Sequence, residues 1–307
     1  MTATPGVRVV LDVRSLQDPG RAPTTAAYLD ALLDAFDAEP LEGESFAFLL
    51  RSDLDDPTTT REHLQVVGRR LLPPTTLLRS AAMTVDPFVL RGASLGAAWR
   101  AERGGAAGSV YHAVGGATLP IASGLPLVVT LLDLAPWELP RTFQATPATR
   151  FGQRLRGQLL RSATRVIVAS DAVARAARRA VHIRADRLRV VPLAPRPGFA
   201  VADAAGDREA RARIERLGLP SRYLVYSGRY DARQDLGTLL RALASLVAGG
   251  RPDGLAADVP WPPRVLLAGA TPDDRAALAR VAAREGVGEA LVYAPPLPPS
   301  QLAAILR

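Results

Sequence analysis

Tyr223 to Leu243, YLVYSGRYDARQDLGTLLRAL, brings a glycine, several cations and a helix start together within a few residues. Tyr223-Leu224-Val225-Tyr226 is a short apolar run of the kind that forms a buried parallel strand. It ends at Ser227-Gly228, and Arg229 follows. From Asp235 the apolar residues Leu236, Leu239, Leu240, Leu243 and Val247 recur at helical spacing, with Asp235 placed as the N-cap. Glycine lets phosphates approach the backbone, a helix N-terminus offers N–H groups, and an arginine beside them binds a diphosphate bidentately. The chemistry this predicts is capture of a phosphorylated ligand. The plainer alternative is that strand, glycine turn and helix punctuate every doubly wound protein.

Elements on both sides must position that turn. Val7 to Leu11 (VRVVL) closed by Asp12, Ser45 to Leu50, a shorter run Leu64 to Val67, and Leu127 to Leu132 read as strands. A strand is also expected to end at Val110-Tyr111-His112. Arg165 to Ala169 and Leu188 to Val191 follow, with Ser170-Asp171 capping a helix between them. Pro73 to Arg103 shows helical spacing at Leu77, Leu78 and Ala81 and a mixed stretch around Asp86-Pro87. Pro192 to Pro220 is rich in Pro, Gly and Ala, and after it the rhythm restarts with strands at Tyr223 to Tyr226, Val265 to Ala268 and Leu291 to Ala294, and helices from about Asp235, Pro272 and Pro299. Alternating strands and helices predict α/β domains with parallel sheets covered on both faces. The predicted boundaries are 1–194, a linker at 195–220, and 221–307. Three strands would leave the second sheet with an open edge, so the second domain is expected to be incomplete.

Composition narrows the function classes. The 307 residues are 48% hydrophobic and 22% charged, as in a globular protein, and no uncharged run is long enough to span a bilayer without Gly and Pro breaks. The N-terminus lacks the pattern of a signal peptide, so a cytoplasmic protein is expected. Absence of cysteine removes disulfides and thiolate chemistry, and three dispersed histidines make zinc unexpected, so no metal site is predicted. All 38 basic residues are arginine and the net charge is +8. The helix around Arg150, Arg154, Arg156 and Arg161, with Phe151, Leu155, Leu159 and Leu160 apolar, reads either as a solvated face or as a peripheral contact with an anionic membrane. Nucleic acid is not an expected partner, for aromatics are only 5% and no RNA- or DNA-binding motif occurs.

Taken in order, several stretches resemble the GT-B glycosyltransferases, and among them the retaining family 4. LDVRSLQDPG is similar to that family's first strand and acceptor-side loop, VVTLLDLAPWELP to its V-T-x-H-D strand end, ATRVIVAS to its A-D-x-V-I-x-V-S strand, and RLRVVPLAP to its V-I-P-N-G strand. SGRYDARQDLGTLLRA resembles G-R-x-x-x-x-K-x-x-x-x-L-L-x-A, VLLAGA the L-x-I-x-G strand, and LVYAPPLPPSQLAAIL the nucleobase-side loop and helix. The resemblance covers most of the chain and implies two Rossmann-like domains with a nucleoside-diphosphate-sugar donor in the cleft between them. It implies transfer of the sugar, with retention, to a carbohydrate, lipid-linked or other small acceptor, and no cofactor beyond the donor substrate.

Carried onto this chain, the resemblance makes Arg229 the residue that neutralises the departing diphosphate, with Gly228, Arg233 and Gln234 beside it and Pro296 and Leu297 on the base side. Three positions depart from the family pattern. Gln234 stands where a lysine is expected, Leu132 replaces the histidine before Asp133, and the first loop carries only Gly20 where a glycine pair is common. Asp133 either accepts a hydrogen bond from a sugar hydroxyl or caps the next segment. His112, in the Tyr-His-Ala-Val-Gly-Gly turn, reads either as a ligand contact or as a structural loop histidine. The family's segment with two glutamates would follow beyond Arg307, so this chain is expected to bind without turning over. A non-catalytic protein that binds a sugar nucleotide or a partner is the alternative.

Overall fold

The computed structural model describes residues 6–74, 86–92, 108–122, 124–195, 199, 208, 212, 215–218, 222–228, 230–231, 234–259 and 261–306. The chain divides into two compact units, Met1–Leu193 and Ala194–Arg307. The predicted linker lies mainly outside the described residues, as does most of Pro73 to Arg103, of which 86–92 is helical.

The first unit is built on seven parallel strands: β1 (Val7–Asp12), β2 (Glu44–Arg51), β3 (Val66–Leu72), β4 (Gly108–Val114), β5 (Leu127–Leu131), β6 (Arg165–Val168) and β7 (Leu188–Val190). Their order is β3-β2-β1-β4-β5-β6-β7, so the chain builds outward from β1, returns, and builds outward on the other side. The reversal between β1 and β4 is the switch point where open α/β sheets bind ligands. After β1 come α1 (Arg14–Gln17) and α2 (Pro23–Ala38). Leu29 and Leu33 of α2 are buried with Leu11, Phe46, Phe48 and Val114 on one sheet face. On the other, Val10, Tyr111, Val129, Leu131, Val166 and Val168 pack with Leu160, Ala177 and Val181.

The helices after β5 are α3 (Ala135–Glu138), α4 (Pro140–Phe143), α5 (Pro147–Ser162) and, after β6, α6 (Asp171–Val181). Ser170 caps α6 by accepting the Val173 N–H, as expected from the sequence. Two strands differ from expectation. β3 runs over Val66–Leu72 and not Leu64 to Val67, because this edge strand alternates Val67, Arg69 and Leu71 outward and carries no continuous apolar run. β4 extends to Val114: β1 pairs with it as far as His112, where its apolar pattern breaks, and β5 pairs with Ala113 and Val114 beyond that point.

The second unit has, among its described residues, parallel strands β8 (Leu224–Ser227), β9 (Val265–Ala268) and β10 (Leu291–Ala294) in the order β10-β9-β8. Helices α7 (Leu236–Ala248), α8 (Pro272–Arg284) and α9 (Pro299–Leu306) follow each strand in turn. All four residues of the central strand β9 are buried. Val265 and Leu267 face Leu240, Leu243 and Ala282, while Leu266 and Ala268 face Ala294 and Ile305.

Candidate functional site

In the second unit the chain leaves β8 at Ser227 and passes through an exposed Gly228. A Cβ built on Gly228 would come 2.9 Å from the hydroxyl oxygen of Tyr226, so any side chain would displace that phenol. Tyr230 stands edge-on to Tyr226, with ring centroids 5.2 Å apart, and its hydroxyl donates to the carbonyl of Ala268 at 2.9 Å. The exposed Gln234 has its N–H on the Asp231 carbonyl at 3.1 Å. Asp235 then caps α7 from a left-handed conformation, φ 42°, ψ 51°. Its carboxylate accepts from the Thr238 hydroxyl at 2.6 Å and the Thr238 N–H at 3.3 Å, and both bonds hold its pKa below the usual carboxylate value. Arg229 and Arg233 lie outside the described residues. After β10, Pro296 is exposed, whereas the Leu297 side chain packs against the Leu266, Ala294 and Ile305 cluster, leaving its backbone as the part that can meet a ligand.

At the switch point of the first unit lies a buried charged group not anticipated from the sequence. Asp12, 6% exposed at the end of β1, accepts two parallel hydrogen bonds from the Arg14 guanidinium, 2.9 and 2.8 Å long. Arg14 also stands 3.5 Å from Asp86. Burial alone would lower the Arg14 pKa, but the charge and hydrogen bonds of Asp12 more than offset this and raise it. Tyr111 of β4 is fully buried nearby, and burial first, then the Asp12 charge, pushes its phenol pKa up. The signal in the sequence was the Asp-Val-Arg spacing at a strand end.

The positions singled out in this unit are not gathered into one site. His112 is not in a loop: it sits inside β4 opposite Leu11 and Val128, with Nε2 2.9 Å from Thr130 Oγ1. Burial lowers its pKa to about 4, so the ring is neutral at pH 7. Asp133 is exposed beyond the end of β5 and accepts the Ala135 N–H at 2.8 Å, the capping role weighed against substrate contact. Gly20 lies exposed in the turn before α2, where a Cβ would meet nothing closer than Asp18 at 3.9 Å. The glycine that is structurally required is Gly115, at φ 58°, where a Cβ would collide with Thr25 Oγ1.

Solved structures of similar architecture match nearly the whole chain. Sucrose-phosphate synthase from Thermosynechococcus elongatus aligns over 97% of this chain and 72% of its own, with a TM-score of 0.62 and 18% identity. Anabaena HepE in complex with UDP and glucose aligns over 97% and 72%, with a TM-score of 0.57 and 16% identity. WaaG, a glycosyltransferase involved in lipopolysaccharide biosynthesis, aligns over 98% and 72%, with a TM-score of 0.53 and 12% identity. The fold is GT-B. No protein-family model and no curated protein sequence matches this GT-B chain.

The basic helix of this GT-B chain is α5. Arg156 donates to the carbonyls of Gly115, Gly116 (3.1 Å) and Ala117 (3.3 Å), which ties the loop after β4 to the helix. Leu160 is in the core and Leu159 packs against it, while Phe151 is exposed. The apolar stripe is thus spent largely on the sheet, and one of its arginines is structural. No helix among the described residues is long and apolar enough to cross a membrane. Among the described residues no cluster of three metal-ligating side chains occurs either.

Proposed function

We propose that this GT-B chain serves transfer of a sugar, with retention, from a nucleoside-diphosphate-sugar to a hydroxyl-bearing acceptor, and that the donor diphosphate lies at the β8–α7 turn. In such a transfer the bond from the anomeric carbon to the diphosphate oxygen breaks and its electron pair leaves with the phosphate. The acceptor oxygen bonds to the anomeric carbon and its proton passes to an oxygen of the departing diphosphate. The charge that develops is on the departing diphosphate, and Arg229 is assigned to stabilise it, with Arg233 supplying the second charge and Gln234 a hydrogen-bond donor. Gly228 leaves the backbone open to the phosphates. Backbone at Pro296 and Leu297 is assigned to the base, and Asp133, which accepts the Ala135 N–H, receives a capping role. His112, neutral and bound to Thr130 within the sheet, receives a structural role.

The observation that carries this reading is the geometry of the β8–α7 turn: a parallel strand ends in an exposed glycine, followed by a capped thirteen-residue helix at a sheet's C-terminal edge. Structural neighbours in complex with UDP, glucose and UDP-glucose agree with it in ligand chemistry. Isothermal titration calorimetry of the chain with UDP and with GDP tests it. Micromolar binding of one of them, weakened at least tenfold by Arg229→Ala, is expected; equal affinity in the variant refutes the assigned site. The exposed, neutral Gln234 in place of a lysine favours a second reading, a non-catalytic binder. Binding of UDP-glucose without release of UDP in the presence of any acceptor supports that one.

A further inference from the structure

We propose that Tyr230 is a positioning residue which locks the glycine turn after β8 to the turn after β9 and so sets the place of the diphosphate. The inference rests on the donor-site reading above. Tyr230 follows Arg229 in the sequence. It lies edge-on against Tyr226, the third residue of β8, and reaches the carbonyl of Ala268, the last residue of β9 and 38 positions away. One ring therefore ties the turn back onto its own strand while its hydroxyl ties it to the neighbouring strand end.

The anchor is itself rigid. Gly269, at φ 80°, donates its N–H to the Ala294 carbonyl at 3.1 Å, so the end of β9 is fixed to β10. Arg275 of α8 donates to the Ala270 carbonyl at 3.2 Å and lies 5.6 Å over the Tyr293 ring. Ala268 and Ala270 are thus each held through their carbonyls, by Tyr230 and by Arg275. In the order β10-β9-β8, the β9–α8 turn lies between the proposed diphosphate turn and the proposed base-side turn. The Tyr230 hydroxyl is the link that holds the first of these at a set distance from the other two. Burial, then Tyr226 and Asp274, raises its pKa, so the hydroxyl stays a donor throughout the neutral range.

The test compares Tyr230→Phe with Tyr223→Phe, because Tyr223 makes a bond of the same kind, hydroxyl to the Ile305 carbonyl at 2.6 Å, away from the turn. Affinities for UDP and UMP, or for GDP and GMP if guanine is preferred, are measured by calorimetry. Tyr230→Phe keeps the ring contact and loses one hydrogen bond, so it should weaken the diphosphate about tenfold and leave the monophosphate unchanged. Tyr223→Phe should leave the ratio of the two affinities as in the parent. A Tyr230→Phe ratio equal to the parent's, with Arg229→Ala still weakening binding at least tenfold, overturns the positioning role alone. If the parent binds neither nucleotide, the donor-site reading falls and takes this inference with it.

Discussion

Thr25 of α2 holds the loop after β4: its hydroxyl oxygen accepts the Gly116 N–H at 3.0 Å and fills the space a Cβ on Gly115 would need. With Arg156 gripping the same loop from α5, two helices fix the chain at the switch point between β1 and β4. Gly115→Ala is therefore expected to destabilise the first unit by about 2–4 kcal/mol, from the left-handed backbone together with overpacking. Urea unfolding followed by circular dichroism measures it. Thr25→Ala in the same chain should recover part of the loss, since the two positions are in contact.

Asp12 is buried and Arg14 partly buried, with Asp86 a further partner 3.5 Å from Arg14, so removing Asp12 leaves the Arg14 charge with only the longer of its two carboxylate contacts. Asp12→Ala should cost about 3–5 kcal/mol. The double replacement Asp12→Leu, Arg14→Met should cost much less than that single change. A double-mutant cycle by urea unfolding distinguishes a coupled pair from two independent contributions.

His112 makes stability depend on pH. Its folded pKa, about 4, lies below the unfolded value near 6.5, so the folded state prefers the neutral ring. The stability linked to this is fully present above pH 6.5 and is lost as pH falls from there through about 4. Unfolding free energies of the parent minus those of His112→Gln should decline over that window and be flat above it. A flat difference throughout would show that the ring is not desolvated as found.

Gln234 stands exposed one residue before the α7 cap, where Asp235 already places a carboxylate. Gln234→Lys should raise affinity for the nucleoside diphosphate by roughly three- to tenfold at low salt, and the gain should shrink at high ionic strength. Calorimetry at two salt concentrations reads both.

Asp235 combines a cap with a left-handed backbone, and the two requirements can be separated. Asp235→Ala loses the bonds to Thr238 and keeps the strain, so about 1–3 kcal/mol is expected. Asp235→Gly loses the bonds but relieves the strain and should cost only a few tenths of a kcal/mol. Thermal melts of both variants rank them.

Local pattern determined much of this protein by itself. The apolar runs at Val7, Ser45, Leu127, Arg165, Val265 and Leu291 are strands, and Ser170 and Asp235 are caps, because periodicity and capping act over a few residues. What tertiary structure alone decided is which distant groups meet. Gly116 finds Thr25 across 91 positions, Arg156 finds Gly116 across 40 and Tyr230 finds Ala268 across 38, contacts set by strand order and not by any local period. His112 shows the same limit, for beside Ala-Val-Gly-Gly it resembles a turn residue, yet it is paired on both edges of β4 and β5 carries the strand past it to Val114. Hydrogen bonds to neighbouring strands outweigh the local preference of one polar residue, and the partners that provide them lie far away in the chain.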